Sequence, residues 1–428
     1  MMNYAAPPAS IQNWLQETLS TLPINLQVEF WNSQKLLIQG NRDRAEPALT
    51  LRIYHPGVLR ALLLQRDPII LAEAYLRGFC DFVGSIDALL LFRQNLPQAA
   101  HKPVQTLKTW LQAITLPPLP LPSKPKAFWN FSPSRHRQRD LEAVQHHYDL
   151  GNDFYRLWLD PHMVYSCAYF PHENATLQEA QEAKLDTICR KLQLQPGETL
   201  LDIGCGWGSL LHWAAKHYGV KAYGITLSQN QVEYNRQWIG EQGWSSCVEV
   251  ELRDYRDLPT EPTFDKIVSV GMVEHVGMKN YPTYFQSALS CLQPGGLFLN
   301  HGITCTQKQN QSEAGERFIH RYIFPNGELA RLSTILTAAE DAGWEIVDVD
   351  AWRPHYAKTL RHWVHNLERV RDRALEHIDQ RWLQLWKLYL LGSAEGFERN
   401  YIGISQTLLR RQGDTQWNLP LTRRNWLG

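Results

Sequence analysis

The chain has 428 residues, too many for one ordinary hydrophobic core, so two or three domains are expected. Its 43 basic and 43 acidic side chains cancel, which excludes a global field that would draw in nucleic acid. A hydrophobic share of 44% with 20% charge marks a globular protein, and seven cysteines without a C-x-x-C pair argue against a disulfide framework and a zinc site.

That cysteine usage fits a reducing compartment, so the expected location is the cytoplasm. The opening "MMNYAAPPASIQNW" lacks a basic region followed by an apolar core and does not read as a secretory signal. No stretch approaches the roughly 18 apolar residues of a spanning helix, so work on a membrane is expected from its surface.

In chain order, "ALTLRIYH" comes first, with Leu49, Leu51 and Ile53 alternating on one face as in a half-buried strand. "PGVLRALLLQ" and "PIILAEAYLRGF" follow as short helices with Pro56 and Pro68 at or near their first turns. No titratable cluster stands out in residues 1–115, which read as a small α+β binding or docking module. Its stretches "LLLQRDPIILAEAYLRGF" and "DALLLFRQNL" offer apolar faces, either to lipid or to the module's own core. Residues 116–140, "LPPLPLPSKPKAFWNFSPSRHRQRD", cluster prolines that remove backbone donors and form an expected linker. Its basic run "SRHRQR" can face anionic headgroups or remain solvated.

Residues 141–428 make the third expected segment, and from about Gln195 strands and helices alternate. "ETLLDIG" is a buried strand, "WGSLLHWAAKHYG" a helix with Gly219 at its carboxyl cap, and "VKAYGITL" a second strand. Ser228 caps the helix "SQNQVEYNRQWIGEQG". Strand-like "CVEVELRDY", "FDKIVSVG" and "GLFLNHGI" follow, the last two separated by the helix "YPTYFQSALSCLQPGG". Right-handed crossovers then imply a mostly parallel, doubly wound α/β sheet of Rossmann-like type, with ligands beyond the strands' carboxyl ends. Beyond Trp352 the chain reads as mostly helical.

The loop "LLDIGCGWGSLL" places Gly204, Gly206 and Gly208 at alternate positions behind Asp202. Ser209 stands where the third glycine of a dinucleotide fingerprint belongs, and no G-K-[ST] follows, so neither a pyrophosphate nor a nucleoside triphosphate fits. The form D-x-G-x-G-x-G resembles the S-adenosylmethionine loop of class I methyltransferases, where glycines admit the cofactor's amino-acid part and the aspartate suits a cationic ligand. Where many such enzymes place a carboxylate for the ribose, this chain has "GITLSQNQ", leaving Thr226 and Gln231 to offer hydrogen bonds. Asp254 and Tyr255 fall where the adenine usually lies. The cofactor contacts implied are Tyr165, Ser166, Asp202, Gly204, Gly206, Thr226, Leu227, Gln231, Asp254 and Tyr255.

Further motifs, "HHYDLGNDFYRLWLDPHMVYSCAYF", "VEHVG", "NHGI" and "RYIFPNGEL", together resemble the cyclopropane-fatty-acyl-phospholipid synthase family and its mycolic acid cyclopropane synthase relatives. The resemblance runs from about His147 to the C-terminal helices. It implies transfer of a methylene unit from S-adenosylmethionine to the cis double bond of unsaturated phospholipid acyl chains, met by a peripheral enzyme at the inner face of the membrane, as a possible homodimer. The base that closes the ring is implied to be a bound bicarbonate ion, in a pocket that maps onto Cys167, Glu274, His301, Ile303 and Tyr356. His301, Tyr356, Cys167 and the Ile303 amide would donate to the ion, and Glu274 would accept its hydroxyl proton. Tyr165, Tyr169, Phe170, Tyr281, Phe285 and Tyr322 are candidate aromatic walls for a carbocation. Alternatives are a sibling enzyme giving methylated or methyl-branched chains, Cys167 as a covalent nucleophile, and a lipid-binding protein without turnover.

Overall fold

The computed structural model describes residues 4–40, 46–65, 68–100, 107–120, 150–306, 313–323 and 328–427. The basic run at residues 134–139, most of the expected linker, and residues 147–149 and 324–327 of the motifs lie outside them. The chain divides into two compact units. One takes in Met1–Trp129, Ser312–Tyr322 and Asp379–Glu395, the other Asn130–Gln311, Ile323–Ile378 and Gly396–Gly428.

The first unit carries a four-stranded sheet in the order β2-β1-β3-β4, from β1 (Leu26–Glu29), β2 (Lys35–Ile38), β3 (Leu49–Ile53) and β4 (Cys80–Gly84). Leu49, Leu51 and Ile53 are buried and Thr50 and Arg52 half-buried, as period-two alternation requires. Helices Gly57–Gln65 and Pro68–Leu76 form where the proline-led apolar runs predict them. Buried Glu73 accepts from the Tyr322 hydroxyl at 3.1 Å and pairs with Arg321.

The second unit holds a seven-stranded sheet in the order β10-β11-β9-β8-β5-β6-β7. Its strands are β5 (Thr199–Ile203), β6 (Lys221–Thr226), β7 (Val248–Leu252), β8 (Phe264–Val270), β9 (Leu292–Cys305), β10 (Trp344–Ala351) and β11 (Ile402–Arg411). β5 to β9 run parallel, and β11 is antiparallel to β9 and β10. β5 lies between β6 and β8, so its neighbours' connections diverge there and open a crevice at the strands' carboxyl ends.

Local chemistry sets the helix ends. The Ser228 side chain accepts from the Gln231 amide ahead of Gln229–Gln242, and Gly219 closes Ser209–Tyr218 at φ 67°. Thr176 and Glu179 form a reciprocal capping box on Leu177–Lys191. The chain beyond Trp352 is mostly helical, as expected, but it also supplies β11, a strand not expected from sequence, which runs ten residues through the sheet beside β9. Eight of its ten residues are buried, so no polar alternation marked it as a strand.

Candidate active site

A cavity opens at the crevice. Asp202, Gly204 and Gly206 after β5, Thr226, Leu227 and Gln231 after β6, and Tyr255 after β7 line it, with Tyr165, Ser166 and Lys184. Nine of the ten expected cofactor contacts therefore share one cavity. Asp254 is not among its lining residues, because its carboxylate binds the Arg256 guanidinium at 2.8 and 2.6 Å and caps the Arg256 amide at 2.9 Å. Thr226 donates to Gln231 Oε1 at 2.7 Å, which ties the two residues standing where a carboxylate is more usual.

Charge inside the cavity is finely poised. Burial pushes the Asp202 carboxyl up to about 7 against the pull of the Lys184 cation, and its Oδ1 is buried with no hydrogen-bond partner among the described residues. Lys184, also buried, donates to Ser166 Oγ at 2.9 Å and is brought down to about 8 by burial. An ammonium- and sulfonium-bearing guest fits these donors and acceptors: a cation for Asp202, a carboxylate for Lys184.

A second polar cluster stands at the ends of β8 and β9. Glu274, in the single-turn helix Val273–Val276, is buried, and its Oε1 accepts from the Ile303 amide at 2.8 Å. The Ile303 amide, expected to be available to an anion, is engaged in holding this carboxylate. Burial lifts the Glu274 carboxyl to about 7, and its Oε2 has no partner among the described residues. His301 on β9 is buried with Nε2 unpartnered among the described residues, and burial, with Lys184 and Lys191 nearby, holds its imidazole neutral. The Trp352 ring stands edge-on to His301 at 5.2 Å, and the Trp352 carbonyl lies 3.9 Å from the Cys167 sulfur. Burial raises the Cys167 thiol well above its usual range, so it remains a thiol and is disfavoured as a nucleophile. Tyr356, one turn after Trp352, packs on Phe397 at 4.6 Å and Trp363 at 6.1 Å.

The model of the family described as mycolic acid cyclopropane synthetase matches residues 135–407, more than half of the chain. The chain belongs to this family. Its members are S-adenosylmethionine-dependent lipid methyltransferases and cyclopropane synthases. Among curated relatives, a probable fatty acid methyltransferase of Pseudomonas putida is 46% identical over 294 residues, covering 68% of this chain and 74% of the relative. Cyclopropane mycolic acid synthase 1 of Mycobacterium tuberculosis is 38% identical over 273 residues, 61% of this chain and 94% of its own. The crystal structure of mycolic acid cyclopropane synthase CmaA1 complexed with SAH and CTAB superposes with a TM-score of 0.61 at 37% identity, covering 63% and 98% of the two chains.

Within this family fold the aromatic candidates separate. Tyr165 lines the cavity, and Tyr169 stacks on His355 at 4.7 Å and lies 4.9 Å from Trp352. Tyr281 and Phe285 are core residues packed with Tyr284 and Phe298, and Tyr322 belongs to the first unit. Lys184, Lys191, Trp352 and Gln406 were not singled out from sequence. The two lysines left a signal: they fall seven apart on the stripe Leu177, Ala180, Lys184, Leu185, Ile188, Lys191, where a helix faces its core.

Proposed function

We propose that this protein transfers a methylene unit from S-adenosylmethionine to the cis double bond of a phospholipid acyl chain and closes a cyclopropane ring. When bound, S-adenosylmethionine supplies an electrophilic methyl group, and a bicarbonate ion supplies the base. Asp202, Gly204, Gly206, Thr226, Gln231 and Tyr255 hold the donor, with Lys184 facing its negative end. Cys167, Glu274, His301 and Tyr356 would hold the ion, and Ile303 acts by fixing Glu274.

The observation that carries this reading is the pair of buried atoms Glu274 Oε2 and His301 Nε2, neither of which has a hydrogen-bond partner among the described residues. Buried polar atoms are normally satisfied. A buried acceptor after β8 and a buried ring nitrogen on neighbouring β9 suit a small guest that donates at one end and accepts at the other, as bicarbonate does. Ionised Glu274 takes the hydroxyl hydrogen bond and so turns the guest's carboxylate end away from itself.

Incubation with S-adenosylmethionine and monounsaturated phospholipid vesicles tests it. The expected lipid gains one methylene and shows no olefinic proton by NMR. A product that keeps olefinic protons, or carries a branch methyl, supports the sibling reading that the name of the Pseudomonas relative favours. The membrane contact is assigned to helix Leu107–Thr115 of the first unit, whose Leu107, Trp110, Leu111 and Ile114 form an exposed apolar face while Thr109 and Ala113 are buried on the other.

A further inference from the structure

His301, Gln406 and Asp350 lie in one cross-strand row: His301 on β9 pairs with Gln406 on β11, which pairs with Asp350 on β10. Side chains in such a row share a face. Lys191, the last residue of helix Leu177–Lys191, reaches this row with its ammonium, donating to Asp350 Oδ2 at 2.6 Å and to Gln406 Oε1 at 2.8 Å. Trp352 Nε1 donates to the same Asp350 oxygen at 2.7 Å. The Gln406 side-chain nitrogen lies 3.1 Å from His301 Nδ1. Lys191, Gln406 and His301 are each about 1% exposed, so water does not compete.

An amide's two ends are ordinarily hard to tell apart, but here the neighbour decides. An ammonium only donates, so the Gln406 oxygen faces Lys191 and its NH2 faces His301. An NH2 only donates as well, so His301 Nδ1 accepts and the ring proton resides on Nε2, the buried nitrogen that has no partner among the described residues. We infer that Lys191 and Gln406 are positioning residues that lock His301 as its Nε2–H tautomer, making it a hydrogen-bond donor to a carboxylate-like anion and unable to act as the base at that nitrogen. The inference rests on the bicarbonate reading for its purpose but not for its geometry. A proton leaving the transferred methyl must then go to a base other than His301, which is the place the bound ion fills.

The test is long-range proton–nitrogen NMR on the full chain labelled with 15N-histidine, with His301 assigned by its loss in His301→Gln. Nδ1 is expected at an unprotonated shift and Nε2 at a protonated one, unchanged between about pH 6 and about pH 8, the range in which an ordinary histidine titrates. A proton on Nδ1, or a ring that titrates there, overturns the inference. In Gln406→Glu the carboxylate can only accept, so Nδ1 is expected to gain a proton; an unchanged pattern overturns the lock. Gln406→Met, which removes the donor, should raise KM for bicarbonate about tenfold, the scale of one hydrogen bond to a charged acceptor, with SAH affinity unchanged. In the His301→Gln background the same change should do nothing more, whereas additive effects would mark Gln406 as merely structural. Turnover independent of bicarbonate would overturn the functional reading and leave the nitrogen pattern to judge the lock by itself.

Discussion

At the scale of single residues, the cavity stores charge that its ligands are needed to settle. Asp202 titrates near 7 because burial opposes its charge, and Lys184 near 8 for the same reason. A cationic ligand favours ionised Asp202, so binding near neutral pH should release a proton. About a tenth of Asp202 is ionised at pH 6 and about nine tenths at pH 8, so affinity for S-adenosylmethionine should rise about tenfold across that interval. Lys184 deprotonates at the upper end, weakening its hold on the ligand's carboxylate, so the rise should level off above pH 8. Calorimetry in buffers of different ionisation heat reads the proton count directly. Asp202→Asn should abolish the release, and a release that persists would remove Asp202 from the account. Burial lifts the Glu274 carboxyl into the same range, but in the proposed reaction it serves turnover. Glu274→Gln should lower kcat about a hundredfold or more, the usual loss for a group that manages a proton in the transition state, with SAH affinity within about twofold; equal loss of SAH affinity would move Glu274 into the cofactor site. The place of Asp202 in the cavity was legible in the sequence because it is set locally by one strand and loop. Lys191 and Gln406 were not, because 215 positions separate the two hydrogen-bonded side chains.

At the scale of elements, the glycine loop separates folding from binding. Gly206 and Gly208 both have positive φ, at 57° and 78°, which side chains with a Cβ adopt at a cost of about 1–2 kcal/mol. A Cβ on Gly206 meets nothing within 4 Å and enters the cavity, whereas one on Gly208 overlaps Asn235 Oδ1, and Asn235 itself donates to the Gly206 carbonyl at 2.9 Å. Gly206→Ala should therefore cost about 1–2 kcal/mol of stability and weaken cofactor binding. Gly208→Ala should destabilise further and shift the chemical denaturation midpoint more than Gly206→Ala does. A reversed order would show that the loop relaxes around the added methyl. This loop, the strand before it and the helix after it followed from spacing and caps alone. The antiparallel β11 did not: an element buried on both sides shows no alternation, and its central Ser405, Gln406 and Thr407 are polar. Burial there is paid for by cross-strand partners that only the sheet order reveals.

For the whole molecule, the substrate reading poses a problem of access, since an acyl chain inside a bilayer must be reached by a protein in which, among the described residues, no helix is long and apolar enough to cross a membrane. The balance of 43 basic and 43 acidic groups gives no overall electrostatic pull towards anionic lipid. In the proposed reading attachment is assigned to apolar area, which helix Leu107–Thr115 displays: Leu107 is 72%, Leu111 52% and Trp110 45% exposed. Tryptophan suits the headgroup boundary, where its ring is buried and its N–H meets water. Replacing Trp110 and Leu111 with serine should lower partitioning onto phosphatidylcholine vesicles about tenfold per side chain, taking roughly 1.5 kcal/mol for each. Binding should change little between low and high salt, because burial and not charge drives it. The same double variant should methylate detergent-dispersed lipid at the wild-type rate, since the substitutions lie outside the catalytic unit. Vesicle binding that survives the substitutions would move the membrane contact elsewhere, and equal loss of activity in detergent would mean that the helix supports the fold and not the encounter with lipid.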